Sequence, residues 1–122
     1  MTMRILIVDD SKAMRMIVRR TLRQAGYGEC EVAEACDGRE ALQQIVKFRP
    51  NLVLCDWNMP GMTGLDVLKA IKKASLALTF GFVTTEASPQ MRALAEENGA
   101  TFLLAKPFTP ETFKAALMGA TR

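Results

Sequence analysis

The chain has 122 residues, enough for one domain and too few for two ordinary ones. Apolar residues make up 49% and charged residues 24%, the balance of a globular protein with a core of its own. Lys and Arg number 16 against 13 Asp and Glu, so the net charge of +3 is too mild to argue for nucleic acid. The absence of His excludes a Ser-His-Asp triad, a His general base and a His-ligated zinc site.

The first apolar run, residues 4–8, is far shorter than a signal peptide's hydrophobic region. No stretch approaches the roughly 20 apolar residues that cross a bilayer, so a cytoplasmic location and no membrane partner are expected. Further short runs follow at 31–35, 52–55, 80–83 and 101–105. Nearly continuous apolar runs of this length suit strands buried on both faces of a parallel sheet. Between them the spacing is helical. Met14, Val18, Thr21, Leu22 and Ala25 share one face of a first helix that Gly26 can end, and Lys12, Arg15, Arg19 and Arg23 form a solvated opposite face. Asp37-Gly38-Arg39-Glu40 has the form of a capping box opening a second helix toward Phe48, which Pro50 keeps from continuing. Residues 66–73 read as a third helix. Ser88-Pro89 starts a fourth that ends at Asn98-Gly99, and Thr109-Pro110-Glu111 starts a fifth. The pattern is (βα)5, an α/β domain without repeats or linkers. The segment 74–79 carries the fewest turn signals, and Gly81 inside the fourth strand is expected to weaken its packing.

In such a sheet, ligands bind beyond the carboxyl ends of the strands. Asp9 and Asp10 follow the first strand, Asp56 the third, Thr84 closes the fourth, and Lys106-Pro107 follows the fifth. Three like charges at one edge call for a cation. Mg2+ suits oxygen ligands of this kind, and Lys106 adds a second positive charge. The cluster has no neutral-pH base and no Cys, but a carboxylate can act as a nucleophile toward a phosphoryl group, and Asp56, which ends the run read as the central strand, is the candidate. Asp9 or Asp10 could instead cap the first helix, with Ser11 competing for that role, and Asp56 could open a turn. Cys30, Cys36 and Cys55 are too few for an all-Cys zinc site and read as reduced thiols. The eight Met read as core filler and exposed helix positions.

These residues resemble the receiver domain of two-component response regulators, most of all the single-domain chemotaxis type. The matching motifs are Ile5-Leu6-Ile7-Val8-Asp9-Asp10-Ser11, Asp37-Gly38, the run from Asp56-Trp57-Asn58 to Gly64, Val83-Thr84-Thr85-Glu86-Ala87 and Lys106-Pro107-Phe108. The resemblance spans the chain and implies a flavodoxin-like three-layer sandwich with strand order 2-1-3-4-5, residues 1–122 forming one receiver. It implies that Asp56 takes a phosphoryl group from a histidine kinase, and that Asp9, Asp10, Asp56 and the Asn58 backbone carbonyl hold Mg2+. Thr84 and Lys106 would contact the phosphoryl oxygens, Asn58 and Glu86 would tune hydrolysis, and Lys106-Pro107 would be a cis peptide. The protein would be a monomeric switch rather than an enzyme. It would act through a downstream protein on the face of the fourth helix, fifth strand and fifth helix. Three departures stand out: Leu103 where the family often has an aromatic switch residue, Thr85 in place of a small residue, and Thr79 where Pro often starts the fourth strand. The fourth strand and its flanks are therefore where deviation is expected. Three other readings are a receiver excised from a longer protein, a pseudo-receiver, and an Asp-nucleophile phosphatase. The tail after Gly119 lacks linker character, which disfavours the first. Asn58 stands where such phosphatases usually carry a second Asp, which disfavours the last.

Overall fold

The computed structural model describes residues 3–120. Five strands, β1 (Arg4–Val8), β2 (Glu31–Ala35), β3 (Leu52–Cys55), β4 (Thr79–Thr84) and β5 (Phe102–Ala105), alternate with five helices. These are α1 (Lys12–Leu22), α2 (Gly38–Phe48), α3 (Gly64–Lys73), α4 (Pro89–Glu97) and α5 (Pro110–Ala120). The strands form one parallel sheet in the order β2-β1-β3-β4-β5, as expected. Among the described residues, no helix is long and apolar enough to cross a membrane.

Alternation along each strand divides the core in two. Leu6, Val8, Val53, Cys55, Phe80 and Phe82 face one side, where Ala41 and Ile45 of α2, Val67, Leu68 and Ile71 of α3, and Ala95 of α4 cover them. Ile5, Ile7, Leu52, Leu54 and Val83 face the other, under Val18 and Leu22 of α1 and Phe113 and Leu117 of α5. The result is three layers, with α1 and α5 opposite α2, α3 and α4. Full burial on both faces holds for β3 but not for β2, whose first four residues are partly or fully exposed. A sheet-edge strand has a neighbour on one side only, so its apolar run is covered incompletely.

Helix starts follow local chemistry. Ser11, not Asp9 or Asp10, caps α1, its hydroxyl accepting from Met14 N–H at 3.2 Å. Asp37 caps α2 through Glu40 N–H (2.8 Å), but Glu40 reaches back to Cys36 N–H rather than to Asp37, so the box is only half formed. A full capping box lies instead at Thr63 and Asp66, which starts α3 two residues before the expected position. After α1 the chain widens into a π-type turn over Arg23–Tyr27, and Gly26 (φ +99°) breaks the helical geometry there.

The fourth strand is the regular element that Gly81 and Thr79 argued against. Its register with β3 and β5 is unbroken. Gly81 leaves the space that the Phe102 ring of β5 fills, and a Cβ there would overlap the ring. The glycine is thus the close-approach site of an aromatic neighbour. Gly81→Ala is expected to destabilise by about 1–3 kcal/mol. In a chemical-denaturation cycle with Phe102→Leu, the double variant should recover part of that loss. Strict additivity of the two effects would disprove the contact.

Candidate functional site

Register decides which side chains meet. Val8 pairs with Ala35 on one side and with Cys55 on the other, so Asp9 and Asp56 leave the sheet at the same level. Asp56 N–H donates to Val8 O (2.9 Å), and Asp9 N–H to Ala35 O (3.1 Å). Thr84 pairs with Ala105, and Lys106 N–H donates to Thr84 O at 2.8 Å, which places the lysine over the same edge. The Lys106-Pro107 peptide is cis.

The structure brings Asp9, Asp10, Asp56, Thr84 and Lys106 together. Carboxylate oxygens of the three aspartates lie within 4.8 Å of one another. Asp9 is buried, Asp56 half-buried and Asp10 exposed, so the cluster opens to solvent on the Asp10 side. Lys106 Nζ is 2.9 Å from Asp9 Oδ2 and 3.5 Å from Asp56 Oδ2, and its side chain is only 10% exposed. Asp9 Oδ1 accepts from Ser11 N–H at 2.9 Å. Thr84 is fully buried, and its hydroxyl oxygen also accepts from Glu86 N–H at 3.4 Å. Asn58 and Glu86 are exposed and joined across the rim, Asn58 Nδ2 donating to Glu86 Oε1 at 3.0 Å. Trp57, next to the central aspartate, is buried against Phe82 with ring centroids 4.4 Å apart.

The electrostatics follow from this crowding. Burial holds the Asp56 carboxyl above its ordinary value. Lys106 draws it back, Asp9 pushes it further up, and hydrogen bonds from Trp57 N–H and the Thr84 hydroxyl lower it. One lysine does not balance three carboxylates, and an all-oxygen donor set fits a hard divalent ion such as Mg2+. Thiols do not compete as nucleophiles. Burial pushes Cys55 well up, and a hydrogen bond to Glu40 raises Cys36.

A carboxyl whose pKa is higher in the folded than in the unfolded chain keeps more protons when folded, so stability falls as pH rises through that window. Without divalent ions, Asp56→Asn should therefore melt above the wild type at pH 7. The gain should vanish below the ordinary carboxylate pKa of about 3.9. Calorimetry in EDTA across pH checks this, and a lower melting temperature at pH 7 contradicts it.

Sequence reasoning missed Arg15 and Glu34. Arg15 and Arg19 are not simply solvated: both pair with Glu34 of β2, at 2.8 and 3.1 Å, and Arg15 Nη1 also donates to Asp9 O at 2.7 Å. The spacing of four between the arginines was a legible signal, but their partner lies across a strand crossover.

Comparison with known proteins agrees with this geometry. A sequence model of the response regulator receiver domain matches residues 5–118. Chemotaxis protein CheY-3 of Vibrio cholerae is 40% identical over 117 residues, covering 94% of this chain and 88% of that protein. Chemotaxis protein CheY of Pseudomonas aeruginosa is 39% identical over 114 residues, covering 92% and 90%. Among solved structures, V. cholerae CheY4 superposes with a TM-score of 0.87 at 40% identity, covering 98% of this chain and 99% of that one. The receiver domain of a response regulator NarL from Mycobacterium tuberculosis gives 0.88 at 29% identity, covering 99% and 98%. The chain therefore belongs to the response regulator receiver domains, the phosphorylation-activated signalling switches of two-component systems, and within them to the CheY-like group.

Proposed function

We propose that Asp56 accepts a phosphoryl group from the phosphohistidine of a histidine kinase, with Asp9, Asp10, Asp56 and the Asn58 backbone carbonyl as the Mg2+ ligands. An Asp56 oxygen forms the new O–P bond as the donor's P–N bond breaks, leaving an acyl phosphate. Bound Mg2+ would supply neutralisation of phosphoryl charge. The chain's own groups do the rest. Asp56, fixed by its N–H on Val8, presents a carboxylate. Lys106 Nζ, already 3.5 Å from that carboxylate, meets a phosphoryl oxygen, and the Thr84 hydroxyl binds another. The observation that carries this reading is the placement of one nearly buried lysine and one buried hydroxyl against a cluster of three aspartates.

As a switch, residues 1–122 act as one receiver domain that catalyses only its own phosphorylation and dephosphorylation. It works as a cytoplasmic monomer and binds no nucleic acid. Phosphorylation draws Thr84 toward the site and alters the face of α4, β5 and α5, where a downstream protein binds. The names of its CheY relatives favour chemotaxis as the pathway. The test is incubation with Mg2+ and acetyl phosphate or beryllofluoride. One hydroxylamine-labile phosphoryl group, or a fluoride adduct, should appear at Asp56 and be lost with EDTA. A protein that gains neither refutes the assignment.

A further inference from the structure

We propose that Arg15 is a positioning residue for the acidic cluster, clamping the main chain at Asp9 so that the Asp9 and Asp10 carboxylates stand where a cation needs them. The proposal rests on the reading of that cluster as a Mg2+ and phosphoryl site.

Each polar atom of Asp9 has its own partner. The N–H is held by Ala35 O, Oδ1 by Ser11 N–H and Oδ2 by Lys106 Nζ; the carbonyl accepts from Arg15 Nη1 at 2.7 Å. That carbonyl belongs to the peptide joining Asp9 to Asp10. Its plane sets the direction in which the exposed Asp10 leaves the chain. A short bond from a guanidinium fixes the plane more firmly than a neutral donor would.

The guanidinium is itself held. Arg15 Nε donates to Glu34 Oε1 at 2.8 Å, and the Arg15 side chain is 15% exposed. Glu34's other oxygen is taken by Arg19, one turn further along α1, whose Nε lies at 3.2 Å. Glu34 sits on β2, next to Ala35, the residue that holds Asp9 N–H. The chain Arg19–Glu34–Arg15–Asp9 thus ties α1, β2 and the end of β1 into one frame beside the site. Ligands held in this way by supporting contacts lose metal affinity when the support is removed, typically by ten- to a hundredfold.

Charge and positioning predict opposite signs, which makes the proposal testable. Arg15 is a cation beside a cation site. If it acted through its charge alone, Arg15→Met would tighten Mg2+ binding. If it positions the cluster, Arg15→Met weakens it, by about 10-fold in Kd. The measurement is a calorimetric Mg2+ titration, with the buried Trp57 beside Asp56 as an independent fluorescence reporter. Melting temperatures in EDTA show whether the fold is affected.

Arg15→Met should bind Mg2+ about 10-fold more weakly, and saturating Mg2+ should restore its rate of phosphorylation by acetyl phosphate. Glu34→Gln should shift the affinity in the same direction by less. Unchanged or tighter binding in a folded Arg15→Met overturns the proposal, as does a lowered melting temperature with wild-type Kd. If Arg15→Met does not fold, Arg15→Lys decides. It keeps the charge but cannot fork to both Glu34 and the Asp9 carbonyl, so wild-type affinity there is equally fatal. A wild type that binds no Mg2+ defeats the underlying site reading instead.

Discussion

Asp56→Asn is expected to accept no phosphoryl group under conditions in which the wild type gains one, a loss of at least ~10³-fold in transfer rate. The amide keeps the shape of the carboxylate but lacks the charge that makes an oxygen nucleophilic. Intact-protein mass spectrometry after incubation with Mg2+ and acetyl phosphate reads the result directly. The substitution also removes a charge that burial disfavours, so the inactive variant should be the more stable protein. Lost transfer with raised stability separates removal of a nucleophile from damage to the fold. Label on Asp9 or Asp10 in the wild type would show that the cluster had been assigned the wrong acceptor.

Gly64→Ala is expected to be the most damaging small substitution near the site. Gly64 N–H donates to Trp57 O at 2.9 Å, which brings the start of α3 against the loop that follows β3. A Cβ there would overlap Asp56 O and come within 3.0 Å of both Trp57 Cα and the Phe82 ring. Main chain cannot swing aside as a side-chain tip can. The loss should be about 3 kcal/mol, the upper part of the range for overpacking, and the melting temperature should fall by roughly 10–15 °C. Urea unfolding measures the first and calorimetry the second. The folded fraction should also phosphorylate more slowly, because the displaced main chain carries Asp56. A Gly64→Ala protein as stable as the wild type would show that the approach is looser than described.

Both effects concern residues already visible in the sequence, yet they differ in what made them visible. Asp56 stood out because a charged residue ended an apolar run. Gly64 sat in a motif, but what approaches it is Asp56 O, and no local pattern encodes that meeting. Gly81 shows the same limit with the opposite sign. Propensity marked it as a weak point of β4, whereas the Phe102 ring of the neighbouring strand uses the space it leaves. Phe102 lies with the α1 and α5 layer while Leu103 packs against the opposite core, as alternation along β5 requires. At the cap of α2, the sequence pattern was right about Asp37 and wrong about the return bond, because Glu40 is also within reach of Cys36 N–H.

Local periodicity and capping signals alone determined the five strands, the five helices and the set of residues at the strand ends. Those features depend on neighbours within a few positions, so a linear pattern contains them. The tertiary structure decided which strand ends meet, since the order β2-β1-β3-β4-β5 and its register bring Lys106 to Asp9 across 97 positions. It also decided that Arg15 and Arg19 both pair with Glu34. A salt bridge or a close approach depends on distance in space, and only the packing of α1 against β1 and β2 sets that distance.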